Sequence, residues 1–133
     1  MAGGGVRALT LPYPPSVNHY WRNLSNGRTV ISREGRAYRE LVWALMREQG
    51  VPKQTGRLDV HVALVMPDKR RRDIDNAMKA LLDSLAYAGV YEDDSQIDKL
   101  TVERCQVEPP GAAIVTVSQR ITSPLRWALD HCS

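Results

Sequence analysis

Residues 58–79 decide the fold, and they read LDVHVALVMPDKRRRDIDNAMK. The first nine place an apolar side chain at every second position, which predicts a strand buried on one face. Pro67 ends that strand, because proline brings no amide hydrogen to a ladder. A helix is predicted to start within 73–75 and to run to about Ala88, with Gly89 as its C-terminal stop.

The rest of the chain supplies further strands and one more long helix. We predict strands at 6–11, 29–31, 99–107 and 113–118, and a helix from the N-cap Ser32 to about Gln49, ended by Gly50. The last two strands are joined by Pro109-Pro110-Gly111, which favours a hairpin. A short helix containing Trp127 is predicted after Ser123-Pro124. The order β-α-β-α-β-β indicates an α+β domain, a mixed sheet of four to five strands with two main helices packed on it.

Length and composition indicate one soluble domain. The chain has 133 residues, of which 43% are hydrophobic and 25% charged, typical of a globular protein. It contains no run of 18 apolar residues and no apolar signal-peptide core at its start, so a cytoplasmic location away from membranes is expected. Cys105 and Cys132 lack zinc-type spacing and fit a reducing compartment. We take 1–133 as a single domain with its core at 6–118.

Charge is distributed unevenly although the net charge is only +3. Residues 22–39 hold five arginines against one acid, and residues 69–72 add four consecutive cations. The acids concentrate between 73 and 108. Basic flanks around an acidic centre suit a site that gathers phosphate groups electrostatically and then holds or cuts them through a metal ion.

Two carboxylates, Asp73 and Asp75, follow the basic run directly. Convergent carboxylates repel each other unless a cation lies among them, and a divalent metal is the usual cation. Residues two apart do not face each other within a helix, but at a helix start the first residue is not yet helical. The alternative is structural: Asp73 caps the helix and Asp75 complements its dipole.

Lys79 and an acidic loop at 92–94 complete the cluster. Lys79 lies one turn after Asp75, where it can orient a water or neutralise charge on a phosphate; its structural alternative is a surface ion pair with Asp75. Asp93 and Asp94 are either further metal ligands or a solvated turn. Spacing alone does not decide whether this loop reaches the start of the helix.

Runs of cations such as residues 69–72 are most often solvated surface, but the position of this run beside the acids favours contact with phosphates. The residues that we expect to contact DNA are Asn18, Arg22, Arg28, Arg36, Lys69, Arg70, Arg71 and Arg72. Such contacts supply affinity that depends on salt and carry no sequence information.

Several segments resemble the RusA family of Holliday junction resolvases. They are LPYPPSVN at 11–18, GR at 27–28, VISREGRAYR at 30–39, PDKRRRDIDN at 67–76, Lys79, Asp83, AG at 88–89 and DDSQ at 93–96. Together they span about residues 6–118 in the family's order. The combination D-x-D-N-x-x-K with D-D-x-Q is fairly specific, whereas Glu92 and the tail 120–133 depart from the family's pattern.

The resemblance implies an endonuclease that resolves four-way DNA junctions. It implies that Asp73, Asp75 and Asp94 bind Mg²⁺ with help from Asp93 and that Lys79 is catalytic. It also implies a homodimer, whose two sites make paired symmetric nicks with 5′-phosphate ends. We expect that Mn²⁺ can substitute for Mg²⁺.

One alternative from another class is a non-catalytic, dimeric module that binds branched DNA, in which the acids are only caps and surface pairs. A D-x-D nucleotide-sugar transferase is disfavoured because the chain is too short for a nucleotide domain and an acceptor domain.

Overall fold

The computed structural model describes residues 7–120. In chain order the elements are β1 (Arg7–Pro12), α1 (Val17–Tyr20), β2 (Trp21–Asn23), β3 (Thr29–Ile31), α2 (Arg33–Gln49), β4 (Leu58–Met66), a first 3₁₀ helix (Ile74–Ala77), α3 (Met78–Tyr87), a second 3₁₀ helix (Asp94–Gln96), β5 (Ile97–Val107) and β6 (Ala112–Gln119). The predicted α+β class is confirmed. Among these residues no helix has the length and apolar character that crossing a membrane requires. The predicted helix around Trp127 lies outside the described residues.

Four strands form one mixed sheet in the order β1-β6-β4-β5. β4 pairs with β5 in parallel and with β6 antiparallel, and β6 also pairs antiparallel with β1. The parallel pair is connected through α3, which makes β4-α3-β5 a crossover unit. β2 and β3 form a separate two-stranded sheet around the turn at Asn26-Gly27.

The core lies between one face of the sheet and helices α2 and α3. The alternation predicted for 58–66 is confirmed, because every second side chain from Leu58 to Met66 is buried and the others are half-buried. Tyr38, Val42 and Met46 form the buried stripe of α2, which ends at Gly50 in the left-handed conformation. Each large apolar side chain buried here contributes about 1.5–3 kcal/mol.

The predicted hairpin between the last two strands is wrong. β5 and β6 lie on opposite sides of β4, so the 108–111 connection crosses the end of that strand. In the parallel β4-α3-β5 crossover, β5 pairs with one edge of β4, and β6 pairs with the opposite edge. Gly111 packs so closely there that an added Cβ would lie 2.9 Å from the Pro67 backbone. Proline-glycine turns mark a reversal in the sequence, but they do not tell which strand lies between.

The predicted second helix is divided in two. A first 3₁₀ helix covers 74–77 before α3 begins at Met78, and α3 ends at Tyr87. Asp73 occupies the N-cap position with extended dihedrals, but its side chain makes no capping hydrogen bond. Ser32, in contrast, caps α2 as predicted, with its hydroxyl accepting from Gly35 N–H at 2.9 Å.

Candidate metal and phosphate site

The segment from 67 to 77 is held at the carboxyl end of β4 by one bonded aspartate. Asp68 accepts hydrogen bonds from the backbone N–H of Arg70 at 2.9 Å and from Nη2 of Arg72 at 2.8 Å. These bonds, that of Arg72 first, hold the pKa of Asp68 below its usual range. Asp68 therefore fixes the basic turn and leaves Lys69, Arg70 and Arg71 exposed.

Asp73 and Asp75 differ from Asp68 in their bonding. Both are exposed, and neither carboxylate has a hydrogen bond or an ion pair with any residue between 7 and 120. The capping alternative for Asp73 fails, since a cap would occupy its carboxylate. Two unbonded carboxylates, two residues apart in the chain, present the oxygen donors that Mg²⁺ and Mn²⁺ prefer, so these residues fit a divalent ion.

Lys79 lies on the first turn of α3 and is exposed. Its ammonium nitrogen lies 5.7 Å from the ring centroid of Trp21. Within the described residues it forms no ion pair with Asp75, so the structural alternative for Lys79 is not observed. The Lys79 ammonium group instead lies between Trp21 of β2 and the start of α3.

The loop at 92–94 is organised around Gln96. The Oε1 of Gln96 accepts the backbone N–H groups of Glu92 and Asp93 at 2.8 and 3.0 Å. Asp93 in turn accepts from Ser95 N–H at 3.0 Å as the cap of the second 3₁₀ helix, and bonds from Ser95 hold its pKa below the usual range. Asp94 is the aspartate of this loop whose carboxylate stays unbonded among residues 7–120.

The structure places Asp94 away from Asp73 and Asp75. Nε2 of Gln96 donates to the carbonyls of Gln54 and Gly56 at 3.3 and 2.9 Å, just before β4 begins. The loop therefore lies at the start of β4, whereas the two other aspartates follow its end. Among residues 7–120, no group of three His, Cys, Asp or Glu side chains could hold a metal ion.

An open cavity of about 380 Å³ adjoins Asp73. Its lining includes Tyr13, Asn18, Arg71 and Arg72. The Arg72 guanidinium lies 5.7 Å from the ring centroid of Tyr13, and burial raises the pKa of that tyrosine. The cavity thus combines cations, an amide and an aromatic face beside an unbonded carboxylate.

The other expected DNA contacts come from two separate parts of the chain. Arg22 and Arg28 are exposed on the β2–β3 hairpin. Arg36, also exposed, lies in the first turns of α2, where its Nη1 donates to the carbonyl of Ile31 at 2.9 Å.

Sequence reasoning missed the bonds that hold α1 in place. The buried Tyr20 donates its hydroxyl proton to Asp83 on α3, and burial followed by this bond raises the pKa of Tyr20. Arg39 of α2 lies 3.7 Å from the same carboxylate. Partners 63 residues apart leave no signal in the sequence. These bonds position Asn18 and Trp21 beside the candidate site.

A family model described as endodeoxyribonuclease RusA matches residues 12–117. The chain belongs to the RusA family. Similar members include the crossover junction endodeoxyribonuclease of Enterobacteria phage HK97, 42% identical over 112 residues, which covers 84% of this chain and 92% of that protein. The protein of the same name from Escherichia coli K12 is 37% identical over 120 residues, with 84% and 93% covered. That of Enterobacteria phage 82 is 38% identical over 112 residues, with 84% and 92% covered. The RusA resemblance drawn from the sequence is confirmed.

Proposed function

We propose that this chain is a Mg²⁺-dependent endodeoxyribonuclease that resolves four-way DNA junctions by paired symmetric nicks. The observation that most strongly supports this proposal is the pair of unbonded carboxylates, Asp73 and Asp75, directly after an exposed basic turn. The three relatives reported above are each named crossover junction endodeoxyribonuclease, which supports the choice of substrate.

Asp73, Asp75 and Asp94 would hold the metal ion. Their carboxylates are exposed and unbonded within the described residues, as carboxylates that bind an exchangeable ion need to be. A bound divalent ion supplies Lewis acidity and a lowered water pKa for attack on a phosphodiester. Asp93 contributes less to metal binding, because one of its carboxylate oxygens already caps the second 3₁₀ helix.

The other groups bind and orient the DNA. Lys79 stabilises negative charge that develops on the scissile phosphate, since an ammonium near the reacting group acts most strongly in the transition state. The exposed cations of the basic turn and of the β2–β3 hairpin hold neighbouring phosphates. Asn18 and Arg71 line the cavity beside Asp73. In this proposal the DNA strand passes through that cavity, next to the carboxylates of Asp73 and Asp75.

A homodimer accounts for the distance between Asp94 and the other two aspartates. A two-fold axis can bring one end of a chain against the opposite end of its copy. Asp94 of one subunit then joins Asp73 and Asp75 of the other, which gives two equal sites for a substrate with two-fold symmetry.

The test is a synthetic mobile four-way junction, end-labelled one strand at a time, beside a linear duplex of the same sequence. We expect symmetric nicks in the junction with Mg²⁺ or Mn²⁺, 5′-phosphate ends, and an intact duplex. A junction that is bound but uncut with either ion would contradict the proposal and favour a binding module.

A further inference from the structure

β5 is the longest strand of the sheet and lies at its edge. It spans 11 residues, and in the part of the chain that the structure describes its one neighbour is β4. Two of its apolar side chains are exposed, Leu100 at 41% and Val107 at 38%. A long, unpaired edge is a template for another strand, and proteins normally shorten, cover or interrupt such edges. Within residues 7–120, neither a proline in the strand nor a second strand protects this edge. Its register with β4 shifts at Asp98 and again after Arg104, and residues 99–104 between these points are regular.

The sequence of β5 is complementary to itself when it is reversed about Thr101. Two antiparallel copies related by a two-fold axis at that residue set Lys99 opposite the partner's Glu103, and Glu103 opposite the partner's Lys99. The same axis sets Leu100 opposite the partner's Val102. The charges at 99 and 103 thus face their opposites, and the apolar residues at 100 and 102 face each other. Asp98 lies at an irregularity of the strand, where its carboxylate binds Arg57.

The faces of the strand agree with this pairing. Lys99, Thr101 and Glu103 are in register with half-buried β4 residues, on the face away from the helices. Leu100 and Val102 are in register with buried β4 residues, on the helix side. Facing residues of an antiparallel pair lie on the same face of the sheet, so ion pairs form on the open face and apolar contacts beside the core.

Neighbouring registers lack this match. An axis at Leu100 sets Lys99 against Thr101. An axis at Val102 sets Glu103 against Thr101. Neither of these registers forms an ion pair on the open face. A two-fold axis perpendicular to the sheet keeps each residue on its own face, so the axis can move only from one residue of β5 to the next.

The charged groups have bonding capacity left for a partner. Lys99 is exposed and has no bonded partner among residues 7–120. Glu103 uses one oxygen to bind Nε2 of His61 at 2.7 Å. A carboxylate accepts several bonds, so Glu103 can take a second contact.

We propose that β5 is the surface through which two copies of this chain pair, antiparallel about Thr101, into one continuous eight-stranded sheet. The inference rests on the homodimer of the proposed function and names its surface. The antiparallel arrangement brings the start of β5, which follows Asp94, near the end of β5 in the other copy, which precedes Glu108. The backbone N–H of Glu108 bonds Met66, the last residue of β4, and the segment toward Asp73 starts there.

Charge reversal tests the surface without touching the candidate site. Lys99→Glu and Glu103→Lys each set two like pairs across the axis, and we expect each to raise the dimer dissociation constant at least tenfold in sedimentation equilibrium. The double variant restores opposite charges and should return the constant to within about threefold of wild type. Glu48→Lys, an exposed change near the end of α2, is the matched control and should leave it unchanged.

A cross-link tests the register. In a Cys105→Ser, Cys132→Ser background, Thr101→Cys sets two thiols on the axis, at a Cα separation of about 4.5–5.5 Å that a disulfide accepts. We expect a covalent dimer on mild oxidation, and none from Ser118→Cys on β6. A dimer that is neither weakened by the charge reversals nor cross-linked through Thr101→Cys overturns this surface while the homodimer stands. A wild-type monomer at all concentrations overturns both, and cleavage by the protein is measured separately.

Discussion

At the scale of residues, the aspartates between residues 7 and 120 fall into bonded and unbonded groups. Asp68, Asp83 and Asp98 each bind a neighbouring side chain, and their positions follow from those bonds. Asp73 and Asp75 bind nothing between residues 7 and 120. Two exposed carboxylates without a bonded partner in that part of the chain have oxygen atoms available for a cation, which agrees with the proposed metal site.

Lys79→Met should slow junction cleavage by about 10²–10³-fold and leave junction affinity within a few fold, because its charge acts mainly on the transition state. Single-turnover cleavage and a gel-shift titration measure the two quantities. Lys53→Met removes a similar charge from the pair with Glu92 and is the control. A loss of affinity with an unchanged cleavage rate would assign Lys79 to binding instead.

Gly35→Ala should destabilise the fold by about 1–3 kcal/mol, because its Cβ would lie 2.6 Å from the carbonyl oxygen of Tyr20. Urea unfolding measures the change in free energy. The sign is diagnostic, since glycine to alanine inside a helix normally stabilises by about 0.5–1 kcal/mol. A stabilised variant would show that α1 does not pack against α2 as described.

At the scale of elements, local pattern predicted more than pairing. The alternation at 58–66 and the cap at Ser32 are local signals, and the strand and helix that they predicted are present. The β5–β6 hairpin was wrong because neighbours in a sheet are chosen by the whole topology. The acidic residues were found by composition, but spacing could not tell that Asp94 lies at the other end of β4. The Tyr20–Asp83 bond had no sequence signal.

Asp68→Asn should loosen the basic turn between β4 and the first 3₁₀ helix. The folded-state pKa of Asp68 lies below the unfolded value, so its stabilisation is present above that value, near 3.8, and is lost as the pH falls through the folded pKa. The stability difference from wild type should therefore be present at pH 7 and shrink below about pH 4. Urea unfolding at both pH values measures it; a difference that grows at acid pH would contradict the assigned bonds.

At the scale of the whole molecule, the account requires two chains for one site. Asp75→Asn and Asp94→Asn should each, alone, cut junctions about 10²-fold or more slower than wild type. A mixture of the two, after subunit exchange, should regain roughly a quarter of the wild-type sites, seen as single nicks, because each mixed dimer holds one intact site. Asp73→Asn mixed with Asp75→Asn is the matched control and should regain nothing. Equal failure of both mixtures would contradict a shared site.

The most direct measurement is the rate of junction cleavage by Asp75→Asn beside wild type at saturating Mg²⁺, with junction affinity measured on the same preparations. We predict that cleavage falls by about 10²–10³-fold or more while the dissociation constant for the junction changes little, and that Glu48→Gln behaves as wild type. Full cleavage by Asp75→Asn would contradict the account, because the carboxylate pair would then have no part in the chemistry.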